Sequence, residues 1–390
     1  LITGRYQNRF GYTRNILLAP KDSTMGLPLG EQTLPEVLKK GGYKTKAIGK
    51  WHLGAHDLLI PENRGFDEFY GFLIGGHRYF PDDLTLNDLT EARKQMDGYI
   101  TKIYDNGNRI NTSRYLTDEL SINAVKFIED NSNNPFFLYL SYNAPHTPLQ
   151  AKEEDLLRNM HIKGEKRRIY ASMVTSMDDG IGLVLDKLEQ MNIIDNTIVI
   201  FFSDNGGVEW YNHSDNGELR GIKGDFFEGG IRVPFVMQWP KIIPKGIVYD
   251  KPIIALDVFA TSIAVANVEN HTINEIDGVN LIPYIIGENN NNPHKYLYWQ
   301  NRDKEIDVIR DDRYKYLRIK NKEFIFDLSN DISEENNLIN SSKQIYENLK
   351  FEFKEWEKDM IDPIFLDLGM GKEYNKLHPD RWHNSNSEKQ

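Results

Sequence analysis

The sequence contains no cysteine among its 390 residues. Disulfide bonds are therefore excluded, and no thiol can serve as a nucleophile or a zinc ligand. Taken alone, this absence favours a cytosolic or periplasmic protein over a secreted animal protein. The chain also lacks an apolar run of about eighteen residues, so no membrane span is predicted. The formal net charge of −11 argues against nucleic acid as the partner, because phosphate binding needs a basic face.

Short apolar segments alternate with amphipathic ones over the first three quarters of the chain. Strands are predicted at 42–48, 136–142 and 197–203, and helices at 33–41, 116–130 and 166–191. This alternation predicts an α/β fold with a mostly parallel central sheet flanked by helices. Further along, short strands at 296–299, 307–310, 314–317 and 324–327 and a helix at 343–360 predict a smaller antiparallel sheet with a helix. We therefore predict an α/β domain at 1–290 and a small α+β subdomain at 291–390.

Polar side chains follow the predicted strands, where ligands of parallel sheets bind. Lys50 and His52 lie two residues apart in GKWHLG, so in an extended segment both would face one pocket suited to an anionic ester. The alternative is a surface lysine beside a packed Trp51 and a hydrogen-bonded histidine. His146 lies between two prolines that hold its backbone rigid, which suits a group that protonates a leaving atom. A structural histidine is the alternative there.

Two later segments offer a metal ligand pair and another cation. Asp204 and Asn205, in SDNGG, provide hard oxygen donors that suit Ca²⁺ or Mg²⁺. A simple turn is the alternative, and calcium needs more donors than these two. In 219–235, glycines around Lys223 allow close approach of a ligand to the backbone, and the lysine offers a point charge for an oxyanion. We interpret Glu228 and Arg232, in the same segment, as an ion pair that stabilises a loop.

The order and spacing of these segments resemble the sulfatase family of the alkaline-phosphatase-like superfamily. The opening residues LITGR match the closing half of the family's first signature, and GKWHLG matches the second. The other matching segments are 64–67, 115–118, 145–148, 203–207, 219–235, 310–316 and 326–338. The resemblance implies a sulfuric ester hydrolase in a periplasmic or secreted location. It also implies four catalytic side chains: Lys50 and Lys223 hold the sulfate oxygens, His52 assists the nucleophile, and His146 protonates or orients the leaving alcohol.

The resemblance further implies a divalent cation and an unusual nucleophile. Asp204 and Asn205 would ligate the cation, which is Ca²⁺ with Mg²⁺ as the alternative. The nucleophile would be a formylglycine made from a Cys or Ser, expected just ahead of Leu1 together with an aspartate pair on a further strand. By this register the chain is expected to be N-terminally truncated. As it stands it is expected to be inactive and to bind calcium weakly.

Two aromatic and basic patches are candidates for substrate selection. His77 and Arg78, in GGHRYF, suit a sulfated sugar through ring stacking and a second anionic contact, with an ordinary surface loop as the alternative. Trp210 and His213 form the second patch. We expect a small-molecule or oligosaccharide sulfate ester of galactose or N-acetylgalactosamine type, and no oligomeric state is indicated. A phosphoester or phosphonate monoester hydrolase and a catalytically inactive sugar-binding relative are the competing interpretations.

Overall fold

The computed structural model describes residues 1–268 and 274–382. Within it the chain divides into two compact units. The parallel-sheet unit comprises Arg14–Ile193, Ala266–Asn274 and Pro363–Gln390. The antiparallel-sheet unit comprises Leu1–Thr13, Ile194–Val265 and Glu275–Asp362. The division predicted at 290 and 291 stays a prediction.

The parallel-sheet unit is built on five strands in the order β4-β3-β2-β1-β5. Their bounds are β1 (Lys44–Lys50), β2 (Glu68–Phe72), β3 (Ile103–Asp105), β4 (Asn108–Ile110) and β5 (Phe136–Ser141). β1 lies between β2 and β5 and is parallel to both, and β3 and β4 add an antiparallel edge. Residues 45–49 of β1 are buried, as expected of a parallel strand that is covered on both faces. The prediction of a mostly parallel central sheet is confirmed.

The helices of this unit are α1 (Leu34–Lys40), α2 (Leu116–Asn131), α3 (Glu153–Arg158) and α4 (Glu165–Gln190). α1 begins after Thr33, whose backbone N–H donates to the Glu36 side chain at 2.9 Å, and it ends at Gly41. α2 packs against β1, and its apolar residues at helical spacing, from Leu120 through Ala124 to Phe127, are buried. The predicted helices at 33–41, 116–130 and 166–191 therefore form, within one or two residues of the expected ends.

The antiparallel-sheet unit contains two sheets. β6 (Val199–Phe202) pairs antiparallel with β7 (Phe235–Gln238). The second sheet has the order β11-β10-β9-β8 and is antiparallel throughout. Its strands are β8 (Leu297–Asn301), β9 (Ile306–Arg310), β10 (Tyr314–Ile319) and β11 (Lys322–Asp327). The predicted strand at 197–203 thus forms, and its hydrogen bonds join it to β7.

The helices of the antiparallel-sheet unit are α5 (Glu209–Asn212), α6 (Glu228–Ile231), α7 (Asp257–Val265), α8 (Ile282–Ile285) and α9 (Lys343–Glu357). α9 packs on the four-stranded sheet, where Leu349 and Phe353 join Tyr316 in a buried cluster. The predicted antiparallel sheet with its helix is therefore confirmed. A last helix, α10 (Gly371–Leu377), belongs to the parallel-sheet unit. None of the helices within 1–268 and 274–382 is long and apolar enough to cross a bilayer.

Candidate active site

The segment after β1 positions Lys50 and His52. Lys50 is the last residue of the strand, and Trp51 is buried with its indole N–H donating to the Leu59 carbonyl oxygen at 2.8 Å. His52 has a φ of 56°, in the left-handed region that residues other than glycine rarely adopt. The expectation that Lys50 and His52 continue one extended alternation is therefore wrong, because the chain turns at His52. The imidazole instead packs on Gly75, where an added Cβ would lie 2.7 Å from His52 Cε1.

The loop after β5 contains His146, which is half-buried. Its Nδ1 lies 2.7 Å from the Thr147 carbonyl oxygen, which can only accept, so Nδ1 carries the proton in this contact. The loop is closed by a 2.7 Å hydrogen bond from the His146 backbone N–H to the Asn143 carbonyl oxygen. Tyr79 lies under the loop, with its hydroxyl 2.7 Å from the His146 carbonyl oxygen and 3.0 Å from that of Asn143. Tyr79 therefore holds both ends of the turn that presents His146.

His77 and Arg78 differ in exposure. The His77 side chain is fully buried, with Nδ1 2.9 Å from the Arg78 carbonyl oxygen and Nε2 2.9 Å from that of Thr101. Burial lowers the pKa of His77 to about 4, which the two carbonyl contacts only partly offset. Arg78 is exposed, and its backbone N–H donates to the Tyr99 carbonyl oxygen at 2.9 Å. Of the two predicted substrate contacts, Arg78 presents its side chain at the surface, whereas the imidazole of His77 is buried between the carbonyl oxygens of Arg78 and Thr101.

The SDNGG segment at 203–207, which we call the metal-type motif, follows β6 in the antiparallel-sheet unit. Asp204 is exposed and Asn205 is half-buried. The Asn205 amide nitrogen donates to the Gly206 carbonyl oxygen at 2.9 Å, so Oδ1 is the atom that this side chain can offer to a cation. The Ser203 hydroxyl donates to the Asn205 carbonyl oxygen at 2.9 Å. These two bonds fix the conformation of the turn. They are therefore also compatible with the alternative interpretation of this segment as a simple turn.

Lys223 lies on a loop that is tied to the metal-type motif. Its backbone N–H donates to the Gly207 carbonyl oxygen at 3.3 Å, and its side chain is exposed. Asn216 joins the same two segments: Oδ1 accepts from the Gly207 N–H at 2.9 Å, and Nδ2 donates to the Gly221 carbonyl oxygen at 3.1 Å. Lys223 and the motif at Asp204 are therefore held in one array of hydrogen bonds within the antiparallel-sheet unit.

Glu228, at the start of α6, is more heavily paired than the sequence suggested. The expected partner Arg232 lies 3.7 Å away, as an exposed i,i+4 neighbour. The nearer cations are Lys315 Nζ, 3.0 Å from Oε1, and Arg310 Nη1, 3.2 Å from Oε2. Burial by itself raises the pKa of Glu228, but Lys315 and Arg310 outweigh it and hold the pKa below its ordinary value. Glu228 is thus a buried carboxylate that stays charged.

Trp210 and His213 lie on and just after α5. Trp210 is 74% exposed and its ring lies 5.6 Å from that of Tyr211, so two aromatic faces are presented to solvent. His213 is half-buried, has a φ of 58° and closes the helix by donating its backbone N–H to the Glu209 carbonyl oxygen at 3.0 Å. The indole is the more accessible member of this predicted patch.

A divalent cation fits the chemistry of Asp204 and Asn205 but not the number of donors. Carboxylate and amide oxygens are the ligands that Ca²⁺ and Mg²⁺ prefer. Across the described ranges, however, no group of three or more His, Cys, Asp or Glu side chains is arranged so that it could hold a metal ion. Calcium takes about six to eight oxygens. This pair can therefore be only part of a coordination shell.

The predicted site residues divide between the two units. The parallel-sheet unit contains Lys50, His52, His77, Arg78 and His146, and the antiparallel-sheet unit contains Trp210, His213, Asp204, Asn205 and Lys223. Their functional roles stay predictions. The sequence reasoning assigned no role to Tyr79 or Lys315. Both residues nevertheless lie in segments that the sequence marks as candidates, GGHRYF for Tyr79 and 310–316 for Lys315.

Comparisons with known proteins give the family. Residues 1–268 match the sulfatase family model, and residues 223–359 match the model of the N-sulphoglucosamine sulphohydrolase C-terminal region. The chain is 30% identical to the uncharacterized sulfatase YdeN of Escherichia coli K12, over 83% of this chain and 59% of YdeN. It is 33% identical to human N-acetylgalactosamine-6-sulfatase, over 73% of this chain and 55% of the human protein. The chain thus spans little more than half the length of these curated relatives.

Solved structures show the same relationship in three dimensions. The crystal structure of Ps i-CgsB in complex with k-i-k-neocarrahexaose matches with a TM-score of 0.87 and 36% identity, over 97% of this chain and 85% of that one. The phosphonate monoester hydrolase of Agrobacterium radiobacter matches with a TM-score of 0.61 and 17% identity, over 92% of this chain and 84% of that one. At that lower identity the second match shows a shared fold alone.

Proposed function

The chain belongs to the sulfatase family, and we propose that the protein hydrolyses sulfate esters of carbohydrates. The observation that most supports this is the 36% identity to Ps i-CgsB, whose crystal structure contains a neocarrahexaose, across 97% of the chain. The similarity to N-acetylgalactosamine-6-sulfatase supports a sugar of galactose or N-acetylgalactosamine type. A periplasmic or secreted location is proposed on the family resemblance.

The sulfate group is proposed to bind to Lys50 and Lys223. An ammonium group is a compact point charge, and it stabilises the charge that develops on the sulfate oxygens as the ester bond breaks. Both lysines are fixed at the backbone: Lys50 is the last residue of strand β1, and the backbone N–H of Lys223 donates to the Gly207 carbonyl oxygen. Positions fixed before the reaction reduce the reorganisation needed in the transition state.

His146 is proposed to protonate the leaving alcohol. The hydrogen bond between Nδ1 and the Thr147 carbonyl oxygen keeps one proton on Nδ1. A second proton on Nε2 can then pass to the ester oxygen as the bond to sulfur breaks, which leaves a neutral imidazole and a free hydroxyl. His52 is proposed to assist the nucleophile.

Asp204 and Asn205 are proposed as two of the ligands of a Ca²⁺ or Mg²⁺ ion. When bound, such an ion supplies positive charge that polarises the sulfate and favours the deprotonated nucleophile. The nucleophile is proposed to be a formylglycine, as the family resemblance implies. Arg78 and Trp210 are proposed to contact the sugar, since a guanidinium suits a second sulfate and an indole suits the face of a pyranose ring.

The test is the release of inorganic sulfate by the full-length protein. A sulfated galactose or N-acetylgalactosamine oligosaccharide, an aryl sulfate and an aryl phosphate are compared as substrates. We expect sulfate esters to be preferred, and Lys223→Ala to lower kcat by about 100-fold or more, as loss of one oxyanion contact does. Lys245→Ala, which removes another exposed lysine of the same unit, is the matched control and should retain activity. Preference for phosphate would favour the phosphoester hydrolase, and sugar binding without turnover would favour the inactive relative.

A further inference from the structure

A cluster of charged side chains lies buried beside the segment that contains Lys223. Glu228, Lys315 and Glu334 are all 1% exposed or less. Lys315 Nζ lies between the two carboxylates, 3.0 Å from Glu228 Oε1 and 2.9 Å from Glu334 Oε1. Lys315 comes from β10, and Glu334 comes from the segment that follows β11. We refer to these three residues as the ion cluster.

The ion cluster is a costly way to fill a protein interior. Removing charges from water has a penalty that their mutual attraction often fails to recover, and well-packed apolar residues frequently stabilise a fold at least as well. Burial raises the pKa of Glu334 above its ordinary value by more than Lys315 lowers it. A buried ionic cluster is therefore weak evidence of a contribution to stability, and such groups are best attested as devices that fix one arrangement of the structure.

Glu334 is bonded to both ends of the Lys223 loop. Its Oε2 accepts the backbone N–H of Glu228 at 2.6 Å, and its carbonyl oxygen accepts Arg220 Nη1 at 2.7 Å. Arg220 precedes Lys223 by three residues and Glu228 follows it by five. The two ends are also joined directly, because the Gly229 N–H donates to the Arg220 carbonyl oxygen at 2.6 Å. The loop is therefore held at its base by the ion cluster.

The same base supports the metal-type motif. The Gly206 N–H, directly after Asn205, donates to the Gly230 carbonyl oxygen at 3.0 Å. Gly230 lies in α6 two residues after Glu228. A shift of α6 would thus move the Asp204 turn together with the Lys223 loop.

We propose that Lys315 and Glu334 are positioning residues that hold the Lys223 loop and the Asp204 turn in register through Glu228. They contact neither substrate nor cation, and their effect on catalysis is exerted through the backbone of α6. The proposal rests on the proposed function only for its kinetic consequence. The geometric consequence can be measured independently of any activity.

Hydrogen–deuterium exchange on the full-length protein tests the geometry. In Lys315→Met and in Glu334→Gln, amide exchange in 203–207 and 219–230 should rise at least about tenfold, since breaking a buried ion pair has a large effect. Exchange in α9 should stay unchanged. Arg318→Met is the matched control: Arg318 also lies on β10, and its Nη2 is 2.5 Å from the buried carboxylate of Asp307, away from α6. It should not raise exchange in the two loops.

A charge-balanced variant separates electrostatics from loss of packing. Lys315→Met combined with Glu334→Gln removes one charge of each sign and should recover part of the protection lost in Lys315→Met alone. If wild-type protein hydrolyses sulfate esters, kcat/KM should fall about 100-fold in Lys315→Met, as loss of positioning predicts, and little in Arg318→Met. Unchanged exchange in the two loops, or exchange that rises equally throughout the unit, would overturn the proposal. An inactive wild type with the expected exchange pattern would refute the proposed function and leave the positioning role standing.

Discussion

The Tyr79 hydroxyl contacts both ends of the turn that presents His146, so Tyr79→Phe isolates the contribution of that hydroxyl. The substitution removes only the hydroxyl. It keeps the stacking on Tyr115, whose ring centroid lies 5.4 Å from that of Tyr79. The hydroxyl contacts two carbonyl oxygens. The one on Asn143 still accepts the His146 N–H at 2.7 Å after the substitution. The His146 carbonyl oxygen loses the 2.7 Å contact from Tyr79.

The expected loss of stability follows from this single lost hydrogen bond. One buried acceptor loses its contact with the hydroxyl, which corresponds to about 1–2 kcal/mol of the free energy of unfolding. Burial raises the pKa of Tyr79 well above its ordinary value, so the hydroxyl stays protonated and the cost should not vary from neutral to mildly alkaline pH. Because the turn also sets the position of the imidazole, kcat should fall by about tenfold, with KM little changed.

Urea denaturation and steady-state kinetics measure the two effects on the same variant. Tyr374→Phe is the control, because it removes another buried phenol of the parallel-sheet unit, whose hydroxyl donates to Asp22 Oδ2 at 2.6 Å. It should destabilise the protein without lowering kcat. A Tyr79→Phe protein that loses stability but keeps its full kcat would refute the reasoning that this hydroxyl positions His146.

Three further outcomes are expected. Arg78→Ala should weaken turnover of sugar sulfates far more than that of small aryl sulfates, and equal losses on both would count against a sugar contact. Asp204→Ala should lower the affinity of the full-length protein for Ca²⁺ in calorimetry, whereas Asp250→Ala, at another exposed carboxylate of the unit, should not. Hydrogen bonds from Arg313 lower the pKa of Asp327 to about 2, so this carboxylate stabilises the fold above its unfolded pKa and the stabilisation is lost as pH falls toward 2. Asp327→Asn should therefore show a shallower loss of stability in acid, and an unchanged acid profile would contradict the assignment.

The strands and helices that were predicted from the sequence formed where periodicity and end signals agreed, whereas β2, β3, β4 and β7 were not predicted. α1 begins after Thr33, whose backbone N–H donates to the Glu36 side chain, and it ends before Gly41. The four strands of the C-terminal sheet followed from alternation between short turns. The partner of β6 was not predictable, since an apolar strand of this length does not specify parallel or antiparallel pairing.

The types of residue in the candidate site could be predicted from the sequence, but their contacts and backbone conformations could be predicted less well. His146 followed a strand end, as expected, but the contact from Tyr79 joins residues 67 positions apart. No local pattern encodes such a pairing. The turn at His52 was missed for a different reason: alternation assumes an extended backbone, and a positive φ in a residue other than glycine has no reliable sequence signal. Lys315 was missed because a lysine on a strand is normally a surface residue.

Gly206 and Gly229 allow backbone segments of the antiparallel-sheet unit to approach each other closely. The expectation that the glycines beside Lys223 let a ligand approach the backbone stays a prediction. A Cβ on Gly206 would lie 1.7 Å from the Gly229 carbonyl oxygen, and one on Gly229 would lie 2.4 Å from that of Gly221. Neither contact could relax by rotating a side chain, because both partners are main-chain atoms. The glycines thus allow the Asp204 turn, α6 and the Lys223 loop to pack backbone to backbone. A displacement of any one of these segments is therefore passed to the others.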